Sequence, residues 1–171
     1  MLAPEVARRL YEAFKRKDGD AMAALYDENA TFWDPAFGDL AGGEVGGMWR
    51  MLTSRSSDLE ISFVLQEEDD AQAVVRWTAR YTFSATGRKV ENRVVSRLRV
   101  RDGRVVAQRD EFDFYGWARQ ALGPIGLAIG WSGFFQRAFQ RKARAALRAY
   151  LAGERAPAPV VDQQGGWPGR Q

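Results

Sequence analysis

From Thr86 to Gly123 the chain reads TGRKVENRVVSRLRVRDGRVVAQRDEFDFYGWARQALG. Two runs with a period of two flank Arg101-Asp102-Gly103, which is the pattern of a β-hairpin, and a short helix follows. Alternation after the turn sets Val106, Gln108, Asp110, Phe112 and Phe114 on one face of a strand over Arg104–Phe114. Arg109, Glu111 and Asp113 take the opposite, wet face. A carboxylate sharing parity with two phenylalanines has three explanations: a misplaced charge, a hydrogen-bonded structural group, or a working group in a pocket.

Three more strands fit the same period, over about Ala30–Asp34 (short), Asp58–Gln66 and Ala71–Ser84, with Arg88–Arg101 as the first arm of the hairpin. Val75, Trp77, Ala79, Tyr81 and Phe83 share one face of the long strand, and Val90, Asn92, Val94, Ser96, Leu98 and Val100 share the inner face of the next. Upstream, Val6, Leu10, Ala13 and Phe14 make a helical stripe after Pro4, a residue that suits a first turn. Asp20 is placed to cap a second helix through Ala21–Tyr26. A glycine-rich loop leads into a third helix over Glu44–Ser54. The expected fold is α+β, a cone of curved antiparallel sheet packed on three N-terminal helices.

Beyond Gly116 the chain changes character. A short helix over Trp117–Leu122 ends at Gly123-Pro124, and a basic amphipathic helix spans about Ser132–Leu151. Its apolar side carries Phe135, Phe139, Ala143, Ala146, Leu147 and Tyr150. The expected organisation is therefore a domain over 1–123, a helical extension over 124–152 and a disordered tail over 153–171.

Composition removes whole classes of chemistry. With no cysteine and no histidine among 171 residues, thiol nucleophiles, disulfides, imidazole-based triads and imidazole metal sites are excluded. No metal site and no cofactor is expected. A formal charge of +3 is too weak to imply nucleic acid. The amphipathic start, MLAPEVARRLYEAFKRKD, lacks the apolar region of a secretory signal, and the apolar stretch 121–135 is shorter than the roughly 20 residues needed to span a bilayer. A cytoplasmic protein is expected.

Leu25-Tyr26-Asp27-Glu28-Asn29-Ala30-Thr31 before Asp34-Pro35, Thr86-Gly87-Arg88, Asp102-Gly103-Arg104-Val105, Arg109-Asp110-x-Phe112-Asp113 and Trp117-x-x-Gln120-x-Leu122-Gly123 together resemble the nuclear transport factor 2-like superfamily. The resemblance covers Val6 to Gly123 and points to the SnoaL-like branch, with polyketide cyclases, limonene-epoxide hydrolases and ketosteroid isomerases as relatives. It implies a conical domain around a mostly apolar pocket, often dimeric. Asp110 falls where the epoxide hydrolases carry a catalytic carboxylate, but Trp77 and Ala79 stand where their relay needs an arginine and a second aspartate. Asp34-Pro35 resembles the general-base turn of the isomerases, Ser96 holds the place of their second acid, and Tyr11 is approximately in register with their tyrosine.

Two readings of the residues stay open. Asp110 and Asp34 act as cofactor-free acid/base groups, with Trp33, Trp77, Tyr81, Asn92, Ser96, Phe112 and Phe114 lining a pocket for a small apolar molecule. Alternatively the same cavity binds without turnover. The bland explanations are core packing for the aromatics, a bend for Asp34 and a shape-holding hydrogen bond for Asp110. The C-terminal helix is expected to dock on its own domain or a homodimer mate in preference to an anionic membrane.

Overall fold

A computed structural model describes residues 1–55 and 57–153, with the side chains of Glu67 and Glu68 excepted. The tail expected beyond Gly153 lies outside the described residues. Three helices and two strands come first: α1 (Ala3–Lys15), α2 (Gly19–Ala23), β1 (Tyr26–Asp34), β2 (Gly38–Ala41) and α3 (Gly43–Arg55). Then come β3 (Glu60–Glu68), β4 (Gln72–Phe83), β5 (Arg88–Arg101) and β6 (Arg104–Glu111), followed by α4 (Phe114–Leu122), α5 (Pro124–Ile129) and α6 (Gly133–Leu151).

The strands form one curved sheet in the order β2-β1-β6-β5-β4-β3. All neighbours are antiparallel except β1 and β6, which run parallel. The α+β fold is thus as expected, on a mixed six-stranded sheet. The additional strand β2 lies in the stretch expected to be loop. Asp34 creates it by accepting hydrogen bonds from the backbone N–H of Ala36 (2.9 Å) and Phe37 (2.6 Å), which turns the chain back on itself. Gly38 then supplies a positive φ of 71° that side-chain-bearing residues rarely adopt.

Capping explains two shifted boundaries. Asp18, not Asp20, caps α2 by accepting from Ala21 N–H, while Asp20 pairs with Arg50. After β6, Asp113 accepts from Gly116 N–H at 2.9 Å and caps α4, which starts three residues beyond the end of the strand. Phe114 is therefore a helical residue, not the end of a strand.

A β-bulge also changes parity within β6. Val100 pairs with Val105 while Arg99 pairs with Ala107, so Val106 is the extra residue. Val105 is buried in its place, and Gln108 and Asp110 keep the inward face that strict alternation assigns them.

The main core lies between this inner face and helices α1 and α3. Tyr11, Leu10, Met48, Val75, Leu98 and Val105 are each buried to within 1% of complete. A second cluster, built on Val90, Phe114, Trp117, Ala118 and Ala121, sits under α4. There β5 runs past the end of β6, and the Gln120 amide stands in for a missing strand. It accepts from Glu91 N–H at 2.8 Å and donates to Glu91 C=O at 3.1 Å.

Helix α6 docks on its own domain. Leu147 is fully buried, worth roughly 1.5–3 kcal/mol. Gln136 and Gln140 donate to Pro35 C=O and Arg144 to Phe37 C=O. Among the described residues no helix is long and apolar enough to cross a membrane.

Candidate functional site

One register row crosses the inner face of the sheet, where Val75 of β4 opposes Ser96 of β5 and Ser96 opposes Asp110 of β6. One residue beyond the Trp33–Arg109 pair, Asp34 of β1 continues the row. The two carboxylates expected to work together therefore share a face on neighbouring strands. Both are buried, Asp110 with 2% of its surface exposed and Asp34 with 9%.

Two lines of donors converge on Asp110. In the first, Tyr11 O–H (2.7 Å) and Trp77 Nε1–H (2.8 Å) donate to Ser96 Oγ, which donates to Asp110 Oδ1 at 2.5 Å. In the second, Trp49 Nε1–H donates to Tyr26 Oη, Tyr26 O–H to Gln108 Oε1, and Gln108 Nε2–H to Asp110 Oδ1 at 2.8 Å. Each link polarises the next, so both chains deliver positive potential to one oxygen. Among the described residues every fully buried side-chain N or O has a partner. No hydrogen bond there reaches Asp110 Oδ2, which accordingly keeps a trace of accessible surface.

These contacts do not outweigh desolvation. Burial pushes Asp110 up to about 7 against the lowering by Ser96 and Gln108, and the charge of Asp34 adds to the rise. Burial likewise lifts Asp34 to about 6 despite the Phe37 and Ala36 amides. Burial, then the nearby Asp110 charge, raises Tyr11 and Tyr26 well above an ordinary phenol, so both hydroxyls stay protonated donors. Because Oδ1 already accepts two donors, a proton bound by Asp110 belongs on Oδ2.

The other expected pocket residues divide. Trp77 lies with the carboxylates but is packed under α1, its ring 5.9 Å from Tyr11 and 5.3 Å from Phe14. Tyr81 bridges the two clusters, accepting from Trp117 Nε1–H at 2.8 Å. Burial raises it, and Asp34 contributes to the rise, so Tyr81 is within electrostatic reach of that acid. Half-buried Phe112 packs on the second cluster.

Three of the expected pocket residues lie away from Asp110 and Asp34. Trp33 sits on the outer face, because alternation turns it away from Phe32 and Asp34, and Arg109 stacks 3.9 Å from its ring centre. Phe114 belongs to the aromatic group of α4 and α6, 5.5 Å from Trp117 and 5.6 Å from Phe139. Asn92 does not reach Asp110. It opens instead on a groove of about 330 Å³ shared with Trp117, Gln120 and Asp113. A wider concavity of about 540 Å³ is lined by Arg88, Lys89, Arg119 and Gln120. Neither of these two grooves touches Asp110 or Asp34.

Gln108, Tyr26 and Trp49 are not among the residues expected in the site. Gln108 had a signal, its shared parity with Asp110 on one strand. Tyr26 and Trp49 had none, since β1 and α3 bring them in only through tertiary packing.

Comparison with known proteins agrees with this architecture. Residues 7–108 match the family described as the SnoaL-like domain. A candidate polyketide cyclase from a Silicibacter species superposes with a TM-score of 0.62 at 19% identity, over 70% of this chain and 97% of the other. A Catenulispora acidiphila protein with a ketosteroid isomerase-like fold, solved with trimethylamine, gives 0.62 at 14% identity, over 71% and 95%. An epoxide hydrolase of the limonene-epoxide hydrolase-like type from M. tuberculosis gives 0.56 at 20% identity, over 72% and 92%. At these identities the likeness is one of fold. No curated protein sequence matches the chain.

Proposed function

The chain belongs to the SnoaL-like family, and from that premise we propose that it binds a small apolar molecule and moves a proton on it with Asp110 and Asp34, without a cofactor. The observation that carries this reading is a carboxyl group held at about 7 whose donors all fall on Oδ1, leaving Oδ2 for the proton. An acid poised near the ambient pH both gives and takes protons efficiently. Asp34, at about 6, is mostly ionised at pH 7 and is the stronger candidate for the base.

In that arrangement Asp34 accepts a proton from a carbon next to a carbonyl. The C–H electron pair moves into the enol, and Asp110 gives its Oδ2 proton to the carbonyl oxygen. Returning the proton to another carbon is isomerisation, and attack of the enol carbon on a second carbonyl is cyclisation. An epoxide relay of the hydrolase type is not proposed, because Trp77 and Ala79 occupy the positions of its arginine and second aspartate.

A specific observation favours a second reading, in which the protein binds without turnover. Oδ1 of each acid already accepts two donors from its own chain, so both carboxylates have structural work. The two readings separate by deuterium exchange in heavy water. With polycyclic β-diketones as probes, acid/base action exchanges the acidic carbon hydrogens faster with the protein than without. Asp110→Asn and Asp34→Asn should each lose at least about a hundredfold of that acceleration. Binding with no protein-dependent exchange supports the second reading. Both readings take the chain to be a cytoplasmic homodimer, and sedimentation of the purified protein tests the oligomer.

A further inference from the structure

The stretch from α5 to the start of α6 is built inside out. Its inward positions are Gly126 and Gly130, both buried against Ala118 of α4. A Cβ at Gly126 would lie 1.9 Å from Ala118 C=O, so only glycine allows this approach. Its outward positions are large and apolar, with Ile125 46%, Leu127 59%, Ile129 42%, Trp131 71% and Phe134 72% exposed. Contiguous exposure on that scale marks an interaction surface.

Polar groups along the stretch are satisfied internally. Leu127 N–H bonds to Gly123 C=O, Gly130 N–H to Gly126 C=O and Ser132 N–H to Ile129 C=O. Trp131 Nε1–H donates to Ala128 C=O, and Ser132 Oγ caps α6 at Phe135 N–H. Entry into an apolar layer therefore strands few donors.

The rim is cationic. Arg88 lies against Gly123, within about 3 Å of where a Cβ would stand, and Arg137 reaches back to within 3.4 Å of the same point on Gly133. Arg119 stacks on Tyr115, whose hydroxyl donates to Leu127 C=O. Arg88, Lys89 and Arg119 also line the open concavity beside this tip. From 114 to 153 the chain carries six Arg or Lys and no Asp or Glu. In a two-fold contact between copies those like charges would oppose one another, so the rim selects an anionic partner.

We propose that the tip formed by α5, Trp131 and Phe134 anchors the protein to an anionic lipid surface, its apolar side chains entering the headgroup layer while Arg88, Arg119 and Arg137 engage lipid phosphates. The long amphipathic helix α6 is not the inserting element, because its apolar side is used against its own domain through Leu147, Phe135 and Phe139. Instead α6 lends Phe134, Arg137, Arg141 and Arg148, which follow one another along its exposed stripe.

Co-sedimentation of the full chain with vesicles tests this. The protein should pellet with phosphatidylglycerol/phosphatidylcholine vesicles and stay in solution with phosphatidylcholine alone, with binding weakened by salt. Trp131→Ser/Phe134→Ser and, separately, Arg119→Gln/Arg137→Gln should each reduce binding about tenfold or more while leaving the melting temperature unchanged. Failure of the wild-type protein to bind the anionic vesicles, or binding by either double variant that is undiminished from wild type, overturns the proposal. Shielding of Trp131 from an aqueous quencher without vesicles, read as the difference from Trp131→Phe, also overturns it, because a second copy or residues 154–171 then cover the tip. Deuterium exchange plays no part in these readouts, so this inference and the proton-transfer reading fail separately.

Discussion

Two regions of the molecule invert the usual rule of apolar inside and polar outside, and they do so in opposite ways. At Asp110 an acid is placed in the dry interior; at α5 a row of isoleucine, leucine, tryptophan and phenylalanine is placed in water. Around Asp110 the chain supplies the compensation itself, through donors from α1, α3, β1, β4, β5 and β6. Around α5 nothing among the described residues covers the apolar side chains. A compensated inversion can be read as a site complete in one chain. An uncompensated inversion points to something outside it.

The comparison is broken most severely by removing the junction of the first region. Ser96→Val strands the Tyr11 and Trp77 donors and removes one donor from Asp110 at once, and should cost about 4 kcal/mol in urea unfolding. Asp110→Asn keeps an acceptor for Ser96 and Gln108 but removes the charge. Since the native carboxyl is raised from its ordinary value to about 7, it binds its proton more tightly folded than unfolded. Wild-type stability therefore falls as pH rises from about 4 to about 7, by no more than about 4 kcal/mol from this group. The variant should flatten that slope and be the more stable protein at pH 8, by about 2–3 kcal/mol.

Smaller effects sharpen the contrast at the tip. Gly126→Ala forces a methyl onto the Ala118 carbonyl and should cost about 2 kcal/mol by unseating α5. Trp131→Ser/Phe134→Ser should change thermal stability by no more than about 0.5 kcal/mol, since these side chains pack on little of their own chain. A large loss in that last variant would mean the tip is ordinary core after all.

Legibility in the sequence follows the same division. The strands β3 to β6 are readable because each buries one face, and so is the inward parity of Asp110. The bulge at Val106 is not, since an extra residue leaves no mark on an alternating string. Trp33 and Asp34 are expected in one pocket, although adjacent residues of a strand face opposite ways and alternation alone separates them. Helix α5 escapes notice because its buried stripe is glycine, which hydrophobic periodicity cannot register. Tyr26 and Trp49, which feed the Gln108 line to Asp110, are hidden for a different reason. They lie 84 and 61 residues from Asp110 in number, and only the closed fold brings the hydroxyl and the indole into line.

Titration of the Asp110 carboxyl by carbon NMR, assigned by its disappearance in Asp110→Asn, tests the central claim most directly. A midpoint near 7, falling when Asp34→Asn removes the neighbouring charge, is the predicted result. A midpoint near 4 that ignores Asp34 would contradict it, leaving an ordinary carboxylate where a proton donor is placed.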